Sequence, residues 1–144
     1  MKKLLLLLCF GIISSIAGNP YNDKALYIRF EHPYRPYETL YQAQGYVEST
    51  NRDSVLNHKE QAFGRMQIRA IRLKDYNDRT GKSYTLQDCY NEKISKEIWL
   101  YYATKFHPSD YEGISKGWNG RGKSNKIYWN KVKKRLKYLE MKEL

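Results

Sequence analysis

Three groups of residues in this 144-residue chain combine types and spacings that bear on chemistry. One is Glu48, standing where a helical pattern gives way to the polar stretch 48–59. A carboxylic acid at such a junction, beside an aromatic-rich surface, is open to partial desolvation. Burial disfavours the charged form, so the pKa rises and the group becomes a proton donor near neutral pH. A solvated surface carboxylate has the same sequence signature, and spacing alone leaves both readings standing.

Another group is Gly64, Met66 and Gln67, inside EQAFGRMQI. Glycine in an apolar run marks close backbone approach or an unusual dihedral. A glutamine between Met66 and Ile68 needs partners for its carbonyl and its amide. Backbone approach to a ligand, with Gln67 facing its polar groups, is one reading. A tight turn at Gly64, with Gln67 capping a nearby backbone group, is the other.

The last group is GWNG, 117–120, where Trp118 offers a face for stacking on a ring and Asn119 supplies a donor and an acceptor. Other chemistries find little support. His32, His58 and His107 lack the paired spacing of metal ligands. Cys89 reads as a buried thiol near a helix start. No phosphate-cradling glycine loop is present, and no cofactor or metal is expected.

The elements that must hold these groups are mostly helices. Apolar spacing predicts a helix over 37–47, with Leu40, Ala43, Gln44 and Val47 on one face and Glu48 at or just past its end. A loop follows, then the EQAFGRMQI segment and a short helix over 70–77. Ile94, Ile98, Trp99, Tyr101 and Tyr102 mark a helix running to about 106, with Asp88 as its candidate cap. A short piece over 113–116 leads into GWNGRGKSN, read as a glycine-rich loop. The last helix, 126–140, directs Ile127, Val132, Leu136 and Leu139 toward the core, and its lysines form a solvated face. No run reads as a strand, so the expected class is mainly α.

Residues 1–18, with Lys2, Lys3, an apolar run over 4–13 and small residues at Ser15 and Ala17, have the layout of a secretory signal peptide cleaved near Ala17 or Gly18. Residues 19–36, rich in proline and aromatics, read as an extended arm. Residues 37–144 form one domain, large enough for a core. Losing Cys9 with the leader leaves Cys89 unpaired, so packing replaces disulfides. The net charge is +11; removing Lys2 and Lys3 takes 26 basic residues to 24 against 15 acids, about +9. Such a charge favours an anionic partner, envelope polymers or nucleic acid among them.

Taken in order, Glu48-Ser49, AFGRMQI, Asp88 with NEKI, GWNG and YWNKV resemble the catalytic domain of SLT-type lytic transglycosylases, relatives of goose-type lysozyme. The resemblance covers roughly 37–136. It implies a lysozyme-like fold with a glycan-binding cleft. It also implies cleavage of the bond between N-acetylmuramic acid and N-acetylglucosamine in peptidoglycan, with a 1,6-anhydro product. Glu48 matches the family's catalytic acid/base and Ser49 its companion hydroxyl. Gly64, Met66 and Gln67 match a segment lining the groove, Trp118 and Asn119 the Tyr-Asn pair opposite the glutamate, and Tyr128 the aromatic near the close. Glu60 stands where the family has glycine, and Trp118 replaces a tyrosine.

Asp53 and Glu60 keep open a hydrolytic muramidase, which uses a second carboxylate. A non-catalytic basic binder of glycan or nucleic acid is the remaining class. On the transglycosylase reading the protein is secreted or periplasmic, a monomer without specific nucleic-acid recognition. Its partner is the peptidoglycan strand, with a secretion or conjugation apparatus as a further candidate.

Overall fold

The computed structural model describes residues 35–142, apart from 121 and 123. The expected leader, 1–18, and the expected arm as far as residue 34 lie outside the described residues. Helix α1 spans Arg35–Ser49, so the arm's last two positions are already helical. Tyr37, Leu40, Tyr41 and Gln44 recur at helical spacing and are all buried. Gly45 does not end this helix. The chain leaves α1 through Thr50 and Asn51, at φ 59° and 60°, and folds back over it. The Asn51 amide donates to the Gly45 carbonyl at 3.1 Å. A Cβ at Gly45 would meet Asn51 Oδ1 at 2.5 Å, which is why glycine stands there.

Next come strands absent from the sequence reading: β1 (Leu56–Asn57), β2 (Ala62–Phe63) and β3 (Ile68–Arg69). They form an antiparallel sheet in the order β1-β2-β3, pairing Leu56 with Phe63 and Phe63 with Ile68. Two-residue strands are too short to carry an alternating pattern, so no run betrayed them. Helix α2, Ala70–Thr80, stops at Gly81, whose φ of 71° suits a left-handed cap.

A 3₁₀ turn, Gln87–Tyr90, precedes α3, Glu92–Ala103. The cap of α3 is Asn91, whose side chain accepts from the amides of Lys93 and Ile94. Asp88, expected in that role, instead accepts from the Thr85 amide and hydroxyl one turn earlier. Trp99 on α3 is fully buried, with the rings of Tyr41 and Tyr37 at 5.3 and 6.3 Å. Each such side chain contributes about 1.5–3 kcal/mol by leaving water.

Helix α4 runs over Tyr111–Asn119, capped by Asp110, which accepts from the Gly113 amide. Trp118 and Asn119 therefore sit on a helix, and the glycine-rich loop begins only at Gly120. Gly117 is small for a packing reason, since a Cβ there would meet Phe106 Cζ at 2.8 Å. Helix α5, Ser124–Glu140, buries Tyr128, Val132 and Leu136 along one row. Ile127, expected in the core, is 61% exposed. Helix α1 packs along α5 and against α3, and α4 wedges between α3 and α5. The architecture is mainly helical, with one small sheet.

Candidate functional site

Glu48 is the penultimate residue of α1, where the helix dipole turns its negative end. Its carboxyl is half-buried and lines an open pocket of about 180 Å³. Glu60 and Gln67 line the same pocket from the sheet side, Arg69 and Arg72 from β3 and α2, and Trp118 and Asn119 from α4. Five of the ten residues expected at the site thus converge here.

A sixth, Tyr128, reaches Glu48 from behind. Its hydroxyl donates to Glu48 Oε1 at 2.7 Å. Gln44 Nε2 donates to the Tyr128 hydroxyl at 3.1 Å, and Trp99 Nε1 donates to Gln44 Oε1 at 3.1 Å. Gln44 and Trp99 have no exposed surface. The direction of this chain follows from its deep end. An indole N–H only donates, so Gln44 must turn its oxygen toward Trp99 and its amide toward Tyr128. The Tyr128 oxygen then accepts, and its one proton has only Glu48 to go to. Oε1 is thereby held as an acceptor, and any proton on Glu48 resides on Oε2.

Electrostatics agrees with a proton donor. Burial pushes the Glu48 carboxyl up to about 7, against the Tyr128 hydrogen bond, Arg72, Arg69 and the Trp118 side chain, which favour the ionised form. Burial, and then Glu48, hold the Tyr128 hydroxyl well above its ordinary range, so it keeps its proton. Arg72 is half-buried, its guanidinium 4.1 Å from the Trp118 ring centre and 4.9 Å from that of Tyr102. Its Nη2 donates to the Trp118 carbonyl at 2.7 Å, fixing α2 against α4 across the pocket. Burial lowers the Arg72 pKa from its usual value, leaving it a cation.

The other expected residues lie elsewhere. Ser49 is buried, donating to the Gly45 carbonyl at 3.2 Å and accepting from the Arg52 amide at 3.1 Å; it closes the helix and does not line the pocket. Met66 is fully buried in the core. Gly64, at φ 73°, turns its missing side chain inward, where a Cβ would strike the Cys89 carbonyl, so its smallness serves packing. Asp53 binds Arg65 at 2.8 Å, and Arg65 also meets Glu92 at 3.1 Å, a clamp away from the pocket lining.

Gln67 lines the pocket and also caps a backbone group. At φ 49° it occupies the left-handed region, and its Nε2 donates to the Gly64 carbonyl at 2.9 Å. That leaves Oε1 as its side-chain acceptor in the pocket wall. Glu60, at the tip before β2, is about half exposed and ion-paired with Arg69. Burial pushes the buried Cys89 thiol up to about 12, which removes it as a nucleophile. Among the described residues, no cluster of histidine, cysteine or carboxylate has the makings of a metal site.

Sequence reasoning missed Gln44, Arg69 and Arg72 as site residues. Gln44 carried a signal, being a polar residue one turn before Glu48 on an otherwise apolar stripe. The arginines carried none, since a basic residue just before a short amphipathic helix (Arg69) or on it (Arg72) reads as solvent-facing. Comparison with protein-family models, with curated proteins and with solved structures finds no match to this chain.

Proposed function

We propose that this protein is a peptidoglycan-cleaving enzyme of lysozyme-like fold, acting between N-acetylmuramic acid and N-acetylglucosamine as a lytic transglycosylase. The observation that carries the reading is Glu48: one carboxyl with a pKa near 7, held by a buried one-way hydrogen-bond chain in a polar pocket. Protonated at Oε2, it donates to the glycosidic oxygen as that bond breaks and positive charge grows on the sugar. The resulting carboxylate, stabilised by Tyr128 and Arg72, takes the proton of the muramic C6 hydroxyl. The C6 oxygen bonds to C1, giving a 1,6-anhydro end without water.

Trp118 and Arg72 form a stacked wall for the sugar, and Gln67 Oε1 accepts from an N-acetyl N–H. On this reading the protein works outside the cytoplasm, where its substrate lies.

A hydrolytic route has one observation in its favour, Glu60 on the same pocket as Glu48. Its carboxylate is already neutralised by Arg69 and would have to leave that pair to hold a water. Mass spectrometry of fragments released from purified sacculi separates the routes: anhydro ends support the transglycosylase, and reducing ends on every fragment overturn it. No release at all, with retained binding to sacculi, would mark a glycan binder.

A further inference from the structure

Helix α5 carries a surface that the cleft does not use. Lys126, Lys131, Lys133, Lys134 and Lys137 are all exposed. The ion pairs of the described residues lie on other elements, so none of these lysines has a carboxylate partner there. Glu140, the lone acid of α5, lies on the flank of Lys133 and Lys137, away from Lys131 and Lys134, and forms no ion pair with any of these lysines.

Large exposed apolar groups gather at the same place. Among the described residues these are Tyr46, Ile71, Ile127, Tyr138 and Met141, at 41%, 80%, 61%, 44% and 69% exposure. Only Ile71 lies elsewhere, at the cleft. Ile127, Lys131, Lys134 and Tyr138 follow one another by four, three and four positions, a single stripe of α5, and Met141, three further on in the turn just past its end, continues that spacing. Arg135 packs over the rings of Tyr46 and Tyr138 at 3.7 and 4.5 Å, and Lys142 lies 5.2 Å from Tyr138. Tyr46, from α1, thus extends the stripe sideways.

Apolar tips ringed by unpaired lysines, with aromatic rings among them, match the boundary of an anionic bilayer. There, acyl chains receive the tips, headgroups receive the ammonium groups, and tyrosines sit at the interface. A polyanion such as nucleic acid would satisfy the lysines but has no use for Ile127 and Met141. We propose that the α5 face docks this protein on membranes rich in anionic lipid, lying flat on the surface. Among the described residues no helix is long and apolar enough to cross the membrane. The proposal does not depend on the chemistry at Glu48.

The test is sedimentation of the full chain with vesicles of phosphatidylcholine alone and of phosphatidylcholine with about one third phosphatidylglycerol. The apolar segment 4–13 is common to every chain compared and cancels in the ratios. Adding the anionic lipid should raise partitioning sharply. Lys131→Ala with Lys134→Ala should lower the anionic-vesicle partition coefficient about 30-fold, taking each surface lysine at its usual contribution. Ile127→Ser with Met141→Ser should lower it about 10-fold. Thermal melts establish that these surface variants fold. Equal partitioning onto both vesicle types overturns the proposal. So does unchanged binding in the Ile127→Ser, Met141→Ser chain, and duplex DNA captured with the same lysine dependence would then identify a polyanion surface.

Discussion

The two walls of the Glu48 pocket are built on opposite principles. The helical wall is backed by α1, α3 and α5, which hold Glu48 from behind through Tyr128, Gln44 and Trp99, groups with little or no exposed surface. The sheet wall, with Glu60, Gln67 and Arg69, is mostly exposed, short-stranded and secured by an ion pair and a left-handed residue. In a buried network each lost partner leaves another group unsatisfied, at about 1–3 kcal/mol. An exposed pair is worth about 1 kcal/mol or less. The helical wall therefore fixes a proton, whereas the sheet wall is held by weaker, exposed contacts.

That contrast can be broken most directly at Glu48. Glu48→Gln should lower sacculus digestion by about 10²–10⁴-fold, the usual contribution of a positioned acid/base, while preserving the circular dichroism spectrum. It should also stabilise the fold with a defined pH signature. A carboxyl moved from its usual 4.5 to about 7 binds its proton more tightly folded than unfolded, so stability falls as pH rises between those values. Glutamine removes that cost. The variant should melt several degrees higher than wild type at pH 8, on the order of 1–3 kcal/mol, with little pKa-linked gain at pH 4. Equal melting differences at both pH values would contradict the desolvated carboxyl.

Tyr128→Phe comes next. It strips Oε1 of its donor and leaves the Gln44 amide without a partner. The expected cost is about 1–3 kcal/mol in urea unfolding. Losing a hydrogen bond to the charged form raises the pKa further, so the alkaline fall in the pH–rate profile should move to higher pH. Arg72→Ala should shift that limb the same way while also removing a stacked wall, with a loss of about 10-fold in kcat/KM. Glu60→Gln, on the sheet wall, should change digestion by no more than about 3-fold if one carboxylate suffices. A fall of about 100-fold would assign Glu60 to catalysis and the enzyme to hydrolysis.

The two walls also differed in how far they could be foreseen. The stripes that make α1, α3 and α5 are long enough to show a helical period, and Glu48 and Tyr128 were placed from the order of short motifs along them. What makes the pocket from those helices is non-local: Gln44 meets Trp99 and Tyr128 only after folding. The sheet wall left less trace. Its strands are two residues each, and Gly64, which read as ligand-facing, proves to be shaped by the Cys89 carbonyl far along the chain. Met66 and Ser49 share this lesson, because adjacency to a site residue in sequence says nothing about which way a side chain is turned. Trp118 was read as a loop residue because its flanking glycines suggested one; Gly117 is small only to admit Phe106.

Trp99 has a consequence that reaches beyond packing. It lies at the deepest point of the network, and because its nitrogen can give a proton but never receive one, it acts as a directional lock on every group between itself and the pocket. A histidine at position 99, able to give or to receive, would let the whole chain invert and would leave the carboxyl with two interchangeable oxygens in place of one assigned to the ligand. The asymmetry of the pocket is thus written by a side chain that no ligand can touch.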